Sequence, residues 1–208
     1  MRLFTGQKRY GDIAYNRNGR RDEGQLLTVK RTPVLMNRKP IKQRPLAEQA
    51  GYKRLQITPE LLHLHPIENT IVVVVDVFRA TSCMVTAFAH GVAKILPVAT
   101  LEECRQYREL GHLTAAERDG LKPEGFELDN SPFSYMTGQI AGATVVVTTT
   151  NGTLAITRSR SAVKVLIGSF LNLGTLARYL RNQQYDVLVL CAGWKGKPNL
   201  EDTLFAGA

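Results

Sequence analysis

The sequence predicts an α/β protein, a three-layer α/β/α arrangement around a largely parallel sheet. Three observations carry this. Short apolar runs rich in β-branched residues (Ile71–Val75, Thr144–Thr148, Lys164–Ile167, Asp186–Cys191) alternate with stretches of helical period. The run Ile71-Val72-Val73-Val74-Val75 is apolar at every position and not at every second one, so it reads as a central strand covered on both faces. Beyond these runs lie small polar or charged residues followed by a helical pattern, the place where open α/β sheets bind ligands.

The chain of 208 residues is long enough for a sizeable core, and its 44% hydrophobic content is ordinary for a globular protein. Its net charge of +9 is unevenly distributed. Residues 1–54 hold 14 Lys/Arg against 4 Asp/Glu, whereas 55–208 hold 13 against 14. The basic character therefore belongs to a leader, rich in Arg, Lys, Asn, Gln and Gly and interrupted by Pro33, Pro40 and Pro45, which is expected to be disordered and to take no part in the fold. The near-neutral remainder gives no nucleic-acid footprint. Cys83, Cys104 and Cys191 are odd in number and lack a CxxC spacing, which argues against a disulfide framework or a zinc site and fits a cytoplasmic protein. No apolar run reaches the roughly 18 residues of a membrane span.

In chain order, Arg54–Ile57 reads as a short strand. Thr58-Pro59-Glu60 follows as a helix start, with Thr58 as N-cap. His63 and His65, two apart, are expected at the edge of the core and not in a site. After the central strand a helix runs from about Ala80 to His90 and ends at Gly91. Ala93–Pro97 is a strand, and Thr100 with Glu103 three residues on is a capping box for the next helix, with Cys104 inward. Residues Ala115 to Pro132 are polar and broken by Gly and Pro, an unusually long loop of the kind that carries function. Thr144–Thr148 leads through Thr149-Thr150-Asn151-Gly152-Thr153 into a helical stretch, Leu154–Arg160. A strand over Lys164–Ile167, a helix from about Asn172 to Asn182 and a last strand, Asp186–Cys191, complete the alternation. A helix then opens at Asn199, with Asp202 as its capping partner. It runs barely two turns before Ala208, so part of the fold is expected to lie beyond it.

Three strand-to-helix junctions hold the candidate chemistry. The first places Asp76, Arg79, Thr81 and Ser82 after the central strand, and a charge there costs free energy unless it has a partner or a metal. The bland alternative is an Asp76–Arg79 pair that merely finishes the strand. An aspartyl-phosphate role is disfavoured because Phe78 stands where such enzymes carry a second Asp, and Cys83 is expected to pack, not to react. The second junction, Thr149 to Thr153, has the makings of an anion cradle, although an N-cap after a strand needs Thr or Asn anyway. In the third, Lys195 lies in a Gly-containing loop before Glu201-Asp202. Two adjacent acids exceed what capping needs and favour a metal role.

Four motifs in this order, Asp76-Val77-Phe78-Arg79-Ala80-Thr81-Ser82-Cys83, the loop ending GFELDNSP at Pro132, TTTNGT to Thr153 and CAGWKGKPNLED to Asp202, resemble the 2-phosphosulfolactate phosphatases, the ComB family. The resemblance runs from about Leu55 to Ala208. It implies an α/β/α fold of two related lobes, a homodimer, and magnesium-dependent hydrolysis of (2R)-2-phospho-3-sulfolactate to 3-sulfolactate and phosphate, a step of coenzyme M biosynthesis. Carried over by position, Asp76, Glu201 and Asp202 would hold Mg2+. Arg79, Arg118 and Lys195 would face the anionic groups of a small phosphoester. Ser82, Asn130, Ser131, Thr149, Thr150, Asn151, Gly152 and Thr153 would contact the substrate, and Glu117 would orient water or protonate the leaving oxygen. The sequence departs from the family pattern in the leader and in Ala116-Glu117-Arg118-Asp119-Gly120 and Glu127-Leu128-Asp129-Asn130. The family also continues some tens of residues beyond Asp202. The competing readings are a non-catalytic binder of phosphate or sulfonate and RNA binding through the leader. The enzyme reading requires Asp76, Asn151 and Asp202 to lie on one face of the molecule.

Overall fold

A computed structural model describes residues 10–14, 26–29, 35–36 and 53–208. The strands are β1 (Tyr10–Ala14), β2 (Leu26–Val29), β3 (Leu35–Met36), β4 (Lys53–Gln56), β5 (Thr70–Val75), β6 (Lys94–Pro97), β7 (Leu113–Ala116), β8 (Thr144–Thr148), β9 (Lys164–Gly168) and β10 (Asp186–Cys191). The α-helices are α1 (Ala80–Ala89), α2 (Leu101–Glu109), α3 (Gly152–Arg158), α4 (Leu173–Arg181) and α5 (Leu200–Gly207). Three short strands thus fall inside the segment read as a disordered leader. Short runs such as Leu26-Leu27-Thr28-Val29 supply strand propensity that the composition of the whole segment hides. The rest of that expectation lies outside the described residues.

The strands divide between two sheets. One has the order β4-β10-β5-β9 and is parallel throughout. The other has the order β3-β2-β1-β6-β8-β7, with β6, β8 and β7 parallel and β1 to β3 antiparallel to one another. All six residues of β5 are buried, as its unbroken apolar run predicts, with Val73 opposite Val189 on one side and Leu166 on the other.

The alternation of side chains along each strand sets the layers. Val72 and Val74 of β5, Val165 and Ile167 of β9, and Leu188 and Leu190 of β10 share one cluster with Ile95 of β6 and Val145 and Val147 of β8. Met84, Ala87 and Phe88 of α1 and Ala155 and Ile156 of α3 fill that cluster. The opposite residues of β5 (Ile71, Val73, Val75) pack with Leu176 of α4 and Phe205 of α5, while Val146 of β8 packs with Cys104 of α2. Each sheet is therefore the middle of an α/β/α sandwich, and the two sandwiches share their inner helical layer. α1 carries the chain from the first sheet to the second, and α3 carries it back.

Local signals hold with two adjustments. Thr100 Oγ1 accepts from Glu103 N at 3.0 Å and Glu103 Oε2 from Ala99 N at 3.0 Å, the reciprocal cap at the start of α2. Gly91, at φ 90°, ends the turn after α1, a conformation costly for other residues. The segment after Thr58 is a 3-10 helix, Pro59–Leu64, and Thr58 makes no side-chain cap. The second adjustment is β7, whose last two residues, Ala115 and Ala116, lie in the stretch expected to be loop. Its backbone pairs with β8, and Glu127 reaches across to accept from Thr114 N at 3.0 Å and from the Thr114 hydroxyl. The following loop returns along β7, with Leu128 N donating to Thr114 O at 3.0 Å.

Gly168, at the end of β9, has no room for a side chain. A Cβ there would lie 2.9 Å from the Phe205 ring and 2.9 Å from Val73 Cγ1, both buried. Overpacking of this kind costs about 1–3 kcal/mol. Gly168→Ala is accordingly expected to lower the urea midpoint with an unchanged slope, read by circular dichroism.

Candidate functional site

Four loop tips converge at the ends of β5, β7, β8 and β10. The turn after β5 is built by reciprocal bonds: Thr81 Oγ1 donates to Asp76 O at 2.8 Å, and Asp76 N donates to Thr81 Oγ1 at 3.0 Å. This turns the Asp76 side chain over the start of α1, where Oδ1 accepts from Ala80 N at 3.1 Å, a charge-favouring position at a helix N-terminus. The other oxygen faces the loop after β8. A Cβ on Gly152 would lie 2.8 Å from Asp76 Oδ2 and 2.6 Å from Ala80 Cβ, so only glycine permits that approach. Asp76 and Arg79 form no ion pair, which removes the strand-finishing reading.

Asp202 ties β5 and β10 to α5. Its Oδ1 accepts from Val77 N at 2.8 Å and its Oδ2 from Gly193 N at 3.2 Å, with 0% of the residue exposed. The expected capping box is not formed, since Asn199 makes no side-chain cap: the Asp202 carboxylate turns inward to the two loops, with the Asn199 side chain among its hydrogen-bond partners. Gly193, at φ 64°, fits because Lys197 O passes within 2.5 Å of where a Cβ would stand. Glu117 does the equivalent for β7 and β8. One oxygen accepts from Thr150 N at 3.0 Å, and the other from Gly120 N at 2.6 Å and Thr150 Oγ1 at 3.3 Å. Lys195 N donates to Asn151 Oδ1 at 3.3 Å and joins the β8 and β10 loops. Asp76, Asn151 and Asp202 thus share one face, as the enzyme reading requires.

The electrostatics are lopsided. Burial pushes the Asp76 carboxyl up to about 7, and the charges of Asp202, Glu117 and Glu201 add to the rise while the Ala80 N–H opposes it. Burial raises Asp202 as well, against the two backbone N–H groups that hold it. Glu201 is half-buried, acts on both aspartates and makes no hydrogen bond or ion pair among the described residues. Two cations flank this cluster without a carboxylate partner among the described residues. Arg79 precedes α1, close enough to act on Cys83, and Arg118 donates to Glu117 O at 2.6 Å and Thr148 Oγ1 at 2.9 Å. Lys195, in contrast, is paired to Asp119 at 2.6 Å.

The hydroxyl-bearing candidates are mostly committed within their loops. Ser82 Oγ donates to Val77 O at 2.8 Å. Thr153 Oγ1 donates to Thr149 O at 2.7 Å, while Thr149 Oγ1 accepts from Thr153 N at 3.2 Å. Asn130 and the Ser131 hydroxyl have no partner among the described residues. Asp129 beside them accepts from Ser131 N at 2.8 Å and Ser134 Oγ at 2.6 Å, and its charge reaches Cys83 on α1. Asp119 is the residue that sequence reasoning passed over, and its one signal is the Asp-Gly turn it forms with Gly120. The cysteines are inert: burial raises Cys83 and pushes Cys104 and Cys191 up to about 12. His63 is exposed and His65 bonds to Gln56 Oε1 at 3.0 Å. Both line a separate cleft of about 460 Å³ with Glu60 and Arg158.

Fold and site define an α/β protein whose strand ends gather several carboxylates, with arginines on the same loops that have no carboxylate partner among the described residues. A family model described as 2-phosphosulpholactate phosphatase matches residues 56–208. Similar proteins include a probable 2-phosphosulfolactate phosphatase of Thermotoga petrophila, 47% identical over 143 residues that make up 69% of this chain and 62% of that one. Others, named likewise, come from Caldanaerobacter subterraneus subsp. tengcongensis (40% over 141 residues, 66% and 58%) and Clostridium acetobutylicum (39% over 144 residues, 68% and 61%). The chain belongs to the 2-phosphosulfolactate phosphatase family. It spans between 58 and 62% of the length of these relatives.

The raised Asp76 has a consequence for stability. The folded protein holds this proton from about pH 4 up to about 7, while the unfolded chain has released it, so stability falls as pH rises through that window and levels above it. The loss is on the order of 4 kcal/mol. In chelator-treated protein, Asp76→Asn keeps an acceptor for Ala80 N–H and removes the charge. Urea unfolding should find it more stable than wild type at pH 8 and equal to it at pH 4; equal stability at both would contradict the desolvation argument.

Proposed function

We propose that the protein is a magnesium-dependent phosphatase that hydrolyses (2R)-2-phospho-3-sulfolactate to 3-sulfolactate and phosphate, a cytoplasmic step of the coenzyme M biosynthesis type. The observation that carries the reading is the Asp76 carboxylate, buried within reach of the charges of Asp202, Glu117 and Glu201, while Arg79 on the same loop and Arg118 next to Glu117 have no carboxylate partner among the described residues.

The residues fit a magnesium ion. Negative charge concentrated in a water-poor place raises the Asp76 pKa, and a divalent cation would relieve it. Asp76 Oδ2 and Glu201 are the oxygens not already bonded to backbone N–H groups, and magnesium needs only one or two carboxylates besides water and substrate phosphate. Asp202, with both oxygens engaged, would orient this set. No three His, Cys, Asp or Glu side chains among the described residues form a ready-made cage, so water and substrate would have to supply most of the ion's ligands. When bound, the ion supplies charge neutralisation at the phosphoryl oxygens.

The chain's own groups do the remaining work. Arg79 and Arg118 offer planar donors to the phosphate, carboxylate and sulfonate of the substrate. Arg118 is held by Glu117 O and Thr148 Oγ1, so its guanidinium pays little ordering cost on binding. Asn151 Nδ2 would offer a donor at the tip of the β8 loop, and Asn130 and Ser131, whose side chains have no partner among the described residues, would add theirs, while Thr149, Thr150, Gly152 and Thr153 hold the β8 loop. Glu117, which accepts three hydrogen bonds, fixes the Thr150 backbone rather than moving a proton. Water attacks phosphorus in line with the departing C2 oxygen, and stabilisation of the spread negative charge provides most of the rate.

Two measurements test this reading. Phosphate release from 2-phospho-3-sulfolactate should require magnesium and drop about 10²–10³-fold in Asp76→Asn. Full activity in chelator would reject the metal's role, and tight phosphate binding that chelator leaves unaffected, with no turnover, would favour the non-catalytic reading. Because a proton and the cation compete for Asp76, calorimetric magnesium affinity should rise about tenfold per pH unit below pH 7 and flatten above it. An affinity independent of pH would remove Asp76 from the metal's ligands.

A further inference from the structure

The loops after β7 and β10 belong to different sheets and are joined by a 2.6 Å ion pair between Asp119 Oδ1 and Lys195 Nζ. These two residues share a second property. Among the described residues they are the only non-glycine positions in the left-handed region, at φ 53° for Asp119 and φ 49° for Lys195. Such a conformation is uncommon for a residue with a side chain, although aspartate tolerates it better than most.

The pair also breaks the charge pattern of the site. Arg79 and Arg118 carry no carboxylate partner among the described residues, so their charge is available to an anion. Lys195 alone among the three cations has its charge matched, by a carboxylate that is itself exposed. Trp194, with its ring 5.6 Å from Lys195 Nζ, lies beside the ammonium group. An ion pair this open to water contributes little free energy, so exchanging one carboxylate for another costs little.

We propose that Asp119 is an internal competitor for the substrate: its carboxylate occupies Lys195, and an acidic group of the substrate takes its place when the ligand enters. This rests on the reading of the site as one that binds a small polyanion, and it assigns to Asp119 a part in setting affinity rather than in the chemistry. Displacement of Asp119 needs only its side chain to move, because Gly120 N stays bonded to Glu117 and the backbones of Arg118 and Leu121 stay bonded to each other.

The test is calorimetric and independent of turnover, with 3-sulfolactate and inorganic phosphate as probes. Asp119→Asn keeps a residue that accepts the left-handed backbone, so folding is preserved. It should tighten 3-sulfolactate binding about two- to five-fold, the range set by an exposed ion pair. In a Lys195→Met background, where binding is weaker, the same substitution should produce no gain. Binding that is unchanged or weaker in Asp119→Asn, a gain that persists without Lys195, or no binding of either probe to any variant would overturn the proposal. Absence of phosphate release with the two-fold or greater tightening intact would instead reject only the catalytic reading.

Discussion

The architecture of the site depends on the contact between Gly152 and Ala80. These are the first residues of α3 and α1, the two helices that carry the chain between the sheets. Because both helices lie in the layer that the sheets share, their starting ends abut, and a Cβ on Gly152 would stand 2.6 Å from that of Ala80. Any larger residue would push the β8 loop away from the end of β5. That approach desolvates Asp76, brings Glu117 and Thr150 to the same place as Asp202, and lets Asn151 meet the backbone of Lys195.

Burying carboxylates at the meeting of two sheets is costly, and the fold compensates unevenly. Asp202 and Glu117 are satisfied almost wholly by backbone N–H groups, which fix loop shape as much as they stabilise charge. Asp76 receives one such bond and remains largely uncompensated. The two satisfied carboxylates are thus ties, and the unsatisfied one is left with an affinity for a proton or a cation. The same division appears among the hydroxyls, where Thr149 and Thr153 close on each other and hold the loop while Asn151 stays half-exposed at its tip. A polar cluster ordered in this way holds its geometry before any ligand arrives, which is the condition for electrostatic stabilisation without reorganisation.

Much of this was legible in the sequence because burial leaves a period. The apolar run of β5, the alternation of short strands with helical stretches, the Thr100–Glu103 cap and the inward Cys104 all follow from local pattern. The convergence of Asp76, Asn151 and Asp202 followed from the rule that ligands sit at strand ends. What pattern does not encode is the partner. Nothing in Leu113-Thr114-Ala115-Ala116 shows that it pairs with β8, since two alanines carry no strand preference and the pairing is made elsewhere in the chain. Nothing in Asn199 to Asp202 distinguishes a capping acid from one that reaches to Val77, more than a hundred residues away. Hydroxyls before a helix suit a ligand or a neighbouring backbone equally, and Ser82, Thr149 and Thr153 took the backbone. The division into two sheets is of the same kind, because every strand reads identically whichever sheet receives it.

The site therefore has two electrostatic shells with different freedoms. In the inner one, around Asp76, water is excluded and each charge is held by geometry that the crossover helices impose, so its interactions are strong and slow to change. In the outer one, at Lys195 and Asp119, both partners are exposed and the attraction is screened, so it exchanges readily. On the proposed reading, a polyanionic ligand would meet the outer shell first and the inner one last, its more distant acidic group contending with a weak, replaceable contact while its phosphate reached the arginines and the carboxylate cluster. Discrimination by the distant group would then cost little of the preorganisation that the phosphate needs, because the contact it disturbs is between two exposed side chains, while the backbones of both loops stay tied by Glu117 and Asp202.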